Sequence, residues 1–240
     1  MLDKIIISQP RYLPAINYLQ RLYNADLFVF FDTVQRQGRG WENRNKILTN
    51  GKEQWVTIPV ESSSREIILK TRISGSDWID EHKNLIRNAY KKHPFYSDEI
   101  VDRYYAGVKE TLLKNDFNYR DAIVKMNLNV CDLFGFKPKY TYSSQCDDSE
   151  CRGVEKLVKI SKDVGCNTYV SGANGKEYGV VEAFRDSGIN VSFHCFDYPA
   201  YPQYGEKEFH PWLSFFDVIF NIGSDRTKNI IQTQWELRNE

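Results

Sequence analysis

KIIISQPRYLPAINYLQRLYNADLFVFFDTVQRQGRGWENRNK, Lys4–Lys46, is the stretch whose reading decides the fold. It opens on Ile5-Ile6-Ile7, a run too short for a helix and rich in β-branched side chains, which reads as a buried strand. Ser8-Gln9-Pro10-Arg11-Tyr12-Leu13-Pro14 follows at once, and its two prolines stiffen a turn and favour extended backbone at Gln9 and Leu13. Ile16, Leu19, Leu22 and Tyr23 recur at helical spacing, and a second apolar run, Leu27 to Phe31, ends on Asp32. Strand, loop, helix and strand make the opening unit of an open α/β sheet. Such sheets bind ligands just past the carboxyl ends of their strands.

Residues 36–52 hold Arg36, Arg39, Arg44, Lys46 and Lys52 against a single acid, Glu42. A charge run by itself reads first as a solvated loop. Trp41-Glu42-Asn43-Arg44-Asn45, however, places an aromatic, two amides and a guanidinium close together. That mixture suits stacking on a ring and binding phosphate or carboxylate oxygens.

The chain has 240 residues, enough for one sizeable core, and is 41% hydrophobic and 14% aromatic, a folded composition. Its formal net charge is zero, so the local positive charge fits a small anion better than a nucleic acid. No apolar stretch reaches the length of a membrane span and the start lacks signal-peptide form, so a cytoplasmic location is expected. Five cysteines, an odd number without a paired framework, fit a reducing compartment. Cys146 and Cys151 lack a second close pair or a nearby His, so no metal site is expected.

Farther along, Gln54 to Val60 alternates as a strand, Ser62 to Ser64 reads as a turn, and Ile67 to Leu69 as the second strand of a hairpin. Helices are expected over 77–93 with Asp77 as cap, over 97–114 with Ser97 as cap, and over 118–134 before Gly135. These three helices, at about 77–135, form an insertion within one domain spanning 1–240. The α/β pattern then resumes: a strand at Tyr140–Tyr142, a helix over 152–164, a strand at Asn167–Val170, a helix over 176–187 and a strand at Ile189–Phe196. The intervening Ser171-Gly172-Ala173-Asn174-Gly175 reads equally as a phosphate cradle or as a plain turn. Tyr198 to Gly205 is an irregular loop, Trp212 to Phe220 a buried closing helix, and the polar residues beyond Asp225 a frayed end. The fold class is α/β, a mostly parallel Rossmann-like sheet flanked by helices.

Several motifs together resemble the WbqC-like protein family. They are Gln9-Pro10-x-Tyr12-Leu13-Pro14, Asp32-x-Val34-Gln35 and Trp41-x-Asn43-Arg44-Asn45; His82-Lys83 with Ile86 and Tyr90-Lys91-Lys92; Thr168-Tyr169-Val170-Ser171-Gly172; and Tyr201-Pro202-Gln203 with Leu213-Ser214 and Phe220-Asn221-x-Gly223. The likeness covers nearly the whole chain. Ser8 stands where many members carry His, so no mechanism here rests on a histidine at that place. The resemblance implies a role in bacterial surface-polysaccharide (O-antigen, lipopolysaccharide) biosynthesis, as a transferase adding an aminoacyl group, typically glycyl, to an amino sugar.

On that reading the expected acceptor is a nucleotide-linked amino sugar. The acyl donor is left open among an aminoacyl-tRNA, a carrier-protein thioester and an ATP-activated amino acid, and the oligomeric state is left open too. Asp32, at the end of a hydrophobic strand, reads either as a general base or as a turn cap, and the resemblance favours the base. Arg44, Asn43 and Asn45 would hold a diphosphate or carboxylate; Gln9, Tyr12 and Gln35 would bond sugar hydroxyls; Trp41 or Tyr12 would stack on a ring. Ser171 and Gly172 complete the expected site with Gln203, and His210 is a second candidate for acid–base work. His82 reads as a helix-surface residue. Nucleophilic chemistry is disfavoured, because Cys195 and His194 point to opposite faces of a strand and Ser171 lacks a nucleophile elbow. Two rivals remain: an ATP-dependent nucleotidyltransferase, whose usual helix-opening His-x-Gly-His is absent, and a non-catalytic sugar-binding subunit.

Overall fold

The computed structural model describes residues 2–38, 40–61, 65–146 and 151–239. Arg39 and the turn expected at Ser62–Ser64 lie outside the described residues. The first unit forms as read: β1 (Leu2–Ser8), α1 (Ile16–Asn24) and β2 (Leu27–Phe30). It belongs to a six-stranded sheet with β5 (Tyr140–Tyr142), β6 (Cys166–Gly172), β7 (Asn190–Cys195) and β8 (Glu236–Asn239), in the order β5-β2-β1-β6-β7-β8. All neighbours pair in parallel except β7 and β8, which are antiparallel. The chain builds outward from β1 to β2 and β5, then crosses back to lay β6 against the other side of β1. That reversal makes a topological switch point between β1 and β6, where open sheets form a crevice at the carboxyl ends.

Alternation along the strands sorts the core. Ile6, Phe28, Phe30 and Val170 pack on one face with α1, while Ile5, Ile7, Val29, Tyr169 and Phe193 pack on the other. The second face is covered by α6 (Gly153–Val164) and α7 (Val180–Phe184) through Ile160, Val180 and Phe184. Gly165 ends α6 with φ 69, a left-handed closure that suits glycine. The helix expected over 176–187 is shorter, because Ala173–Tyr178 forms a 3₁₀ segment and Gly179, at φ 71, separates it from α7.

The hairpin has different partners from those expected. β3 (Arg44–Thr49) pairs antiparallel with β4 (Lys52–Thr57), joined through Asn50 (φ 50) and Gly51 (φ 71), a turn with two left-handed residues. Ile68–Lys70 is a 3₁₀ turn instead of a strand. The helical segment contains α2 (Trp78–Tyr90), α3 (Asp98–Tyr105), α4 (Val108–Lys114) and α5 (Tyr119–Leu133). The helix expected over 97–114 is divided at Gly107, whose φ of 71 breaks the helical path. Neither Asp77 nor Ser97 makes a side-chain cap, whereas Asn118 accepts from the Asp121 amide.

The chain closes with α8 (Phe215–Ile222) and α9 (Ser224–Thr233). The end expected to fray is ordered into α9 and β8, since Ile230 and Ile231 are buried and β8 pairs with β7 from Ser192↔Asn239 to Cys195↔Glu236. No helix among the described residues is long and apolar enough to cross a membrane.

Candidate functional site

A cavity of about 840 Å³ opens at the switch point. Its walls come from the β1–α1 loop and α1 (Arg11, Tyr12, Asn17, Tyr18, Arg21), the end of β6 and the segment after it (Ser171 to Gly175), the start of α6, and His194, Trp41 and Trp212. Of the residues singled out in the sequence, Tyr12, Trp41, Asn45, Ser171 and Gly172 line it. The rest of that set lies elsewhere.

Two cations dominate the cavity, and sequence reasoning assigned a role to neither. Arg11 sits inside the proline-flanked turn and Arg21 lies on α1 one turn beyond Tyr18. Neither guanidinium hydrogen-bonds or ion-pairs with a described residue, although the largely buried Glu42 carboxylate lies near enough to Arg11 to feel its charge. Arg11 lies over the Tyr18 ring, 5.6 Å from its centre, and Arg21 Nε is buried without a partner. Burial, then repulsion from Arg11, pulls the Arg21 pKa down to about 10, so it stays charged at neutral pH. Ala15 supplies no side-chain cap to α1, which leaves the positive end of that helix facing the same space. Gly172 borders this cluster: a Cβ there would be in ordinary contact, 3.8 Å, with both terminal nitrogens of Arg21. The available signal in the sequence was positional: both arginines follow the carboxyl end of β1, Arg11 in the β1–α1 loop and Arg21 on the polar side of α1.

The loop carrying Arg11 is tied down on all sides. Leu13, expected extended, has φ 46, and this left-handed residue is fixed by its amide bonding Tyr104 Oη at 2.9 Å and its carbonyl accepting from Asn45 Nδ2 at 2.5 Å. Asn127 accepts from the Arg11 amide and donates to its carbonyl. Tyr12 borders the cavity while its fully buried ring packs among Trp78, His82 and Tyr104, and its hydroxyl meets His82 Nδ1 at 2.8 Å and Tyr105 Oη at 2.5 Å. His82 is therefore a buried partner of this loop and not a helix-surface residue. Burial holds its pKa down to about 4.

Asp32 is fully buried and has four donors. Ser143 Oγ and the Ser144 amide reach Oδ1 at 2.8 and 2.9 Å, and Ser144 Oγ and Arg120 Nη1 reach Oδ2 at 2.7 and 2.9 Å. It does not line the cavity, so its geometry suits a latch between β2, the turn after β5 and α5 better than a base. His210 is likewise remote: its amide donates to Gln203 Oε1 at 2.8 Å and Nδ1 stands 3.8 Å from Glu53. Gln203 donates to the His210 carbonyl and to Asp217 Oδ2, and so braces the irregular loop. Arg44 lies 4.1 Å over the Trp55 ring, with Trp41 tilted against the same ring at 5.2 Å. Asn43 donates to the Ile58 carbonyl, and Gln35 forms an isolated bridge with Ile67. Gln9 accepts at its carbonyl from Tyr18 Oη and its side chain is not part of the lining. The basic segment thus shapes the hairpin, and of its described residues Trp41 and Asn45 reach the cavity.

His194, weighed in the sequence only as a neighbour of Cys195, also lines the cavity. It pairs across the sheet with Gly172 and stacks on Trp235 at 4.2 Å. Burial and the nearby Arg21 charge push its pKa down to about 3.

The order of strands and the cavity at the reversal, with two guanidiniums in its wall, define an α/β protein with a crevice at its topological switch point. The chain belongs to the WbqC-like protein family, whose model matches residues 9–229. It is also 27% identical over 229 residues, 93% of its own length and 96% of its relative's, to the uncharacterized protein Rv1507c of Mycobacterium tuberculosis (strain ATCC 25618 / H37Rv). No solved structure matches it.

Proposed function

We propose that this chain is a transferase of surface-polysaccharide biosynthesis that adds an aminoacyl group to the amine of a nucleotide-linked amino sugar. The observation that carries this reading is the pairing of Arg11 and Arg21, neither ion-paired with a described residue, beside the start of α1 in a cavity walled by Trp41, Tyr178 and Trp212. A diphosphate between the half-buried guanidiniums would offset both charges and accept from the first amides of the helix. The aromatic walls would hold the base or the sugar by its face, and Asn45, Ser171 and Asn174 stand within the same lining for hydroxyls. Asp32 and Gln203 act in this reading as supports of the walls. The donor is one of the three classes the family resemblance implies, an aminoacyl-tRNA, a carrier-protein thioester or an ATP-activated amino acid.

The test is calorimetric titration of the protein with uridine- and thymidine-diphosphate sugars, with ATP in parallel. A sugar nucleotide should bind, and Arg21→Ala should weaken it by about tenfold or more, the loss expected for one charge-assisted bond. Binding of ATP alone would overturn this reading in favour of nucleotidyl transfer. Tight sugar-nucleotide binding without turnover against any of the three donor classes would leave a sugar-binding subunit.

A further inference from the structure

The hydrogen bonds around His194 fix more than its position. Gln20 donates from Nε2 to two carbonyls at the end of α9, Ile230 at 2.9 Å and Gln234 at 2.8 Å. Both amide protons are thereby used, and the orientation of the Gln20 amide is settled by its own partners. Its Oε1, an acceptor only, is what meets His194 Nε2 at 3.1 Å. Nε2 must then carry the proton, and in the neutral ring Nδ1 keeps the lone pair. Nδ1 has no hydrogen-bond partner among the described residues, although the residue is only 5% exposed and lines the cavity. Trp235 holds one face of the ring and Arg21 is the charged group beside it.

We infer that His194 is the proton acceptor of this cavity, with Gln20 as the positioning residue that fixes its tautomer. The inference rests on the reading of the cavity as an amino-sugar site. An amino sugar arrives mostly as an ammonium, which has no lone pair and cannot attack. Nδ1 would take one proton from it, and the freed amine would form the C–N bond at the carbonyl carbon of an aminoacyl ester or thioester. The acyl C–O or C–S bond breaks, and the second amine proton passes to the departing oxygen or sulfur. The imidazolium then returns its proton to water. Burial first, and Arg21 second, suppress protonation of the ring while the cavity lacks an anion. A diphosphate that offsets Arg21 would raise the basicity of Nδ1 when substrate is in place.

Two readouts decide the matter in the full chain. Long-range proton–nitrogen spectra at neutral pH, with His194→Gln identifying the signal, should show a neutral ring protonated at Nε2. A ring protonated at Nδ1, or at both nitrogens, overturns the inference whatever the cavity binds. The second readout compares UDP-glucosamine with UDP-N-acetylglucosamine, in which the amine is already acylated. His194→Gln keeps a donor toward Gln20, and His194→Phe keeps the stack on Trp235, so either variant that folds serves. Each should weaken UDP-glucosamine by about tenfold or more while leaving the acylated probe within about twofold. Equal loss of both probes, or no loss of either, overturns the role of His194 alone. If neither probe binds the unaltered protein, the amino-sugar reading falls and this inference falls with it.

Discussion

Asp32 and Arg120 meet at 2.9 Å across 88 residues of chain, joining the end of β2 to the first turn of α5. The carboxylate is fully buried, and Ser143 and Ser144 occupy its remaining lone pairs. Removing it leaves two serines without their acceptor and the partly buried Arg120 with Asp121 alone, a loss of about 3 kcal/mol. Asp32→Ala should therefore unfold at markedly lower urea, yet bind sugar nucleotides as the unaltered protein does under conditions where it is folded. A general base would behave in the opposite way, with stability kept and turnover lost. Urea unfolding and calorimetry on one preparation separate the two.

Asn45 carries a similar burden nearer the cavity. Its Nδ2 holds the Leu13 carbonyl and its Oδ1 accepts from the Lys46 amide at 2.7 Å, so one amide joins the hairpin to a left-handed residue of the Arg11 loop. Asn45→Ala removes both bonds in a buried setting and should cost about 2 kcal/mol. Binding of a sugar nucleotide should weaken as well, because Arg11 loses the fixed backbone that aims it. Asn45→Asp retains the acceptor but not the donor, and should recover only part of the stability in the same unfolding experiment.

How far the sequence leads depends on where each residue finds its partners. The parallel frame is legible in Ile5-Ile6-Ile7 and Leu27 to Phe31, because strands buried on both faces read as continuous apolar runs. The Asn50-Gly51 turn is legible too, as a short-range hairpin signal, and it corrects the pairing assigned to Ile67–Leu69. α9 and β8 are hidden in a polar sequence: their order depends on Gln20, His194 and Trp235, groups far apart in the chain. The site shows the same division. Tyr12, Trp41, Asn45, Ser171 and Gly172 are found by their motifs. Arg11 and Arg21 are not: Arg11 sits in an irregular loop, helical periodicity marks the Arg21 side of α1 only as non-core, and a crevice and open solvent look alike in a sequence.

Acid sensitivity follows from the buried imidazoles. Burial holds His82 down to about 4, while an unfolded histidine titrates near its ordinary value of about 6.5. Between those limits the unfolded chain binds the extra proton, so stability rises with pH. This contribution is complete above about 6.5 and is lost as pH falls toward about 4, at roughly 1.4 kcal/mol per pH unit. His82→Phe cannot take up that proton. Its unfolding free energy, measured from neutral pH down to the lower limit, should fall less steeply than that of the unaltered protein. Parallel slopes would show that His82 titrates normally and that the Tyr12 contact does not require a neutral ring.

Arg21 combines a cost to the fold with a use in the cavity. Its guanidinium is driven toward neutrality by burial and by Arg11, and its Nε has no protein partner. Holding it charged opposes folding at neutral pH, and sites of this kind trade stability for function. Arg21→Met keeps most of the apolar stem against Tyr18 and Tyr169 and discards the charge. The variant should be more stable by about 1 kcal/mol, which for a chain of this size raises Tm by roughly 2–4 °C. It should also lose the tightening that a sugar diphosphate confers, since the anion then faces Arg11 alone. The two effects have opposite signs, so one thermal scan with and without ligand tests both. A variant less stable than the parent in the absence of ligand would mean that Arg21 packs as a structural residue, and the case for an anion between the two arginines would lose its main support.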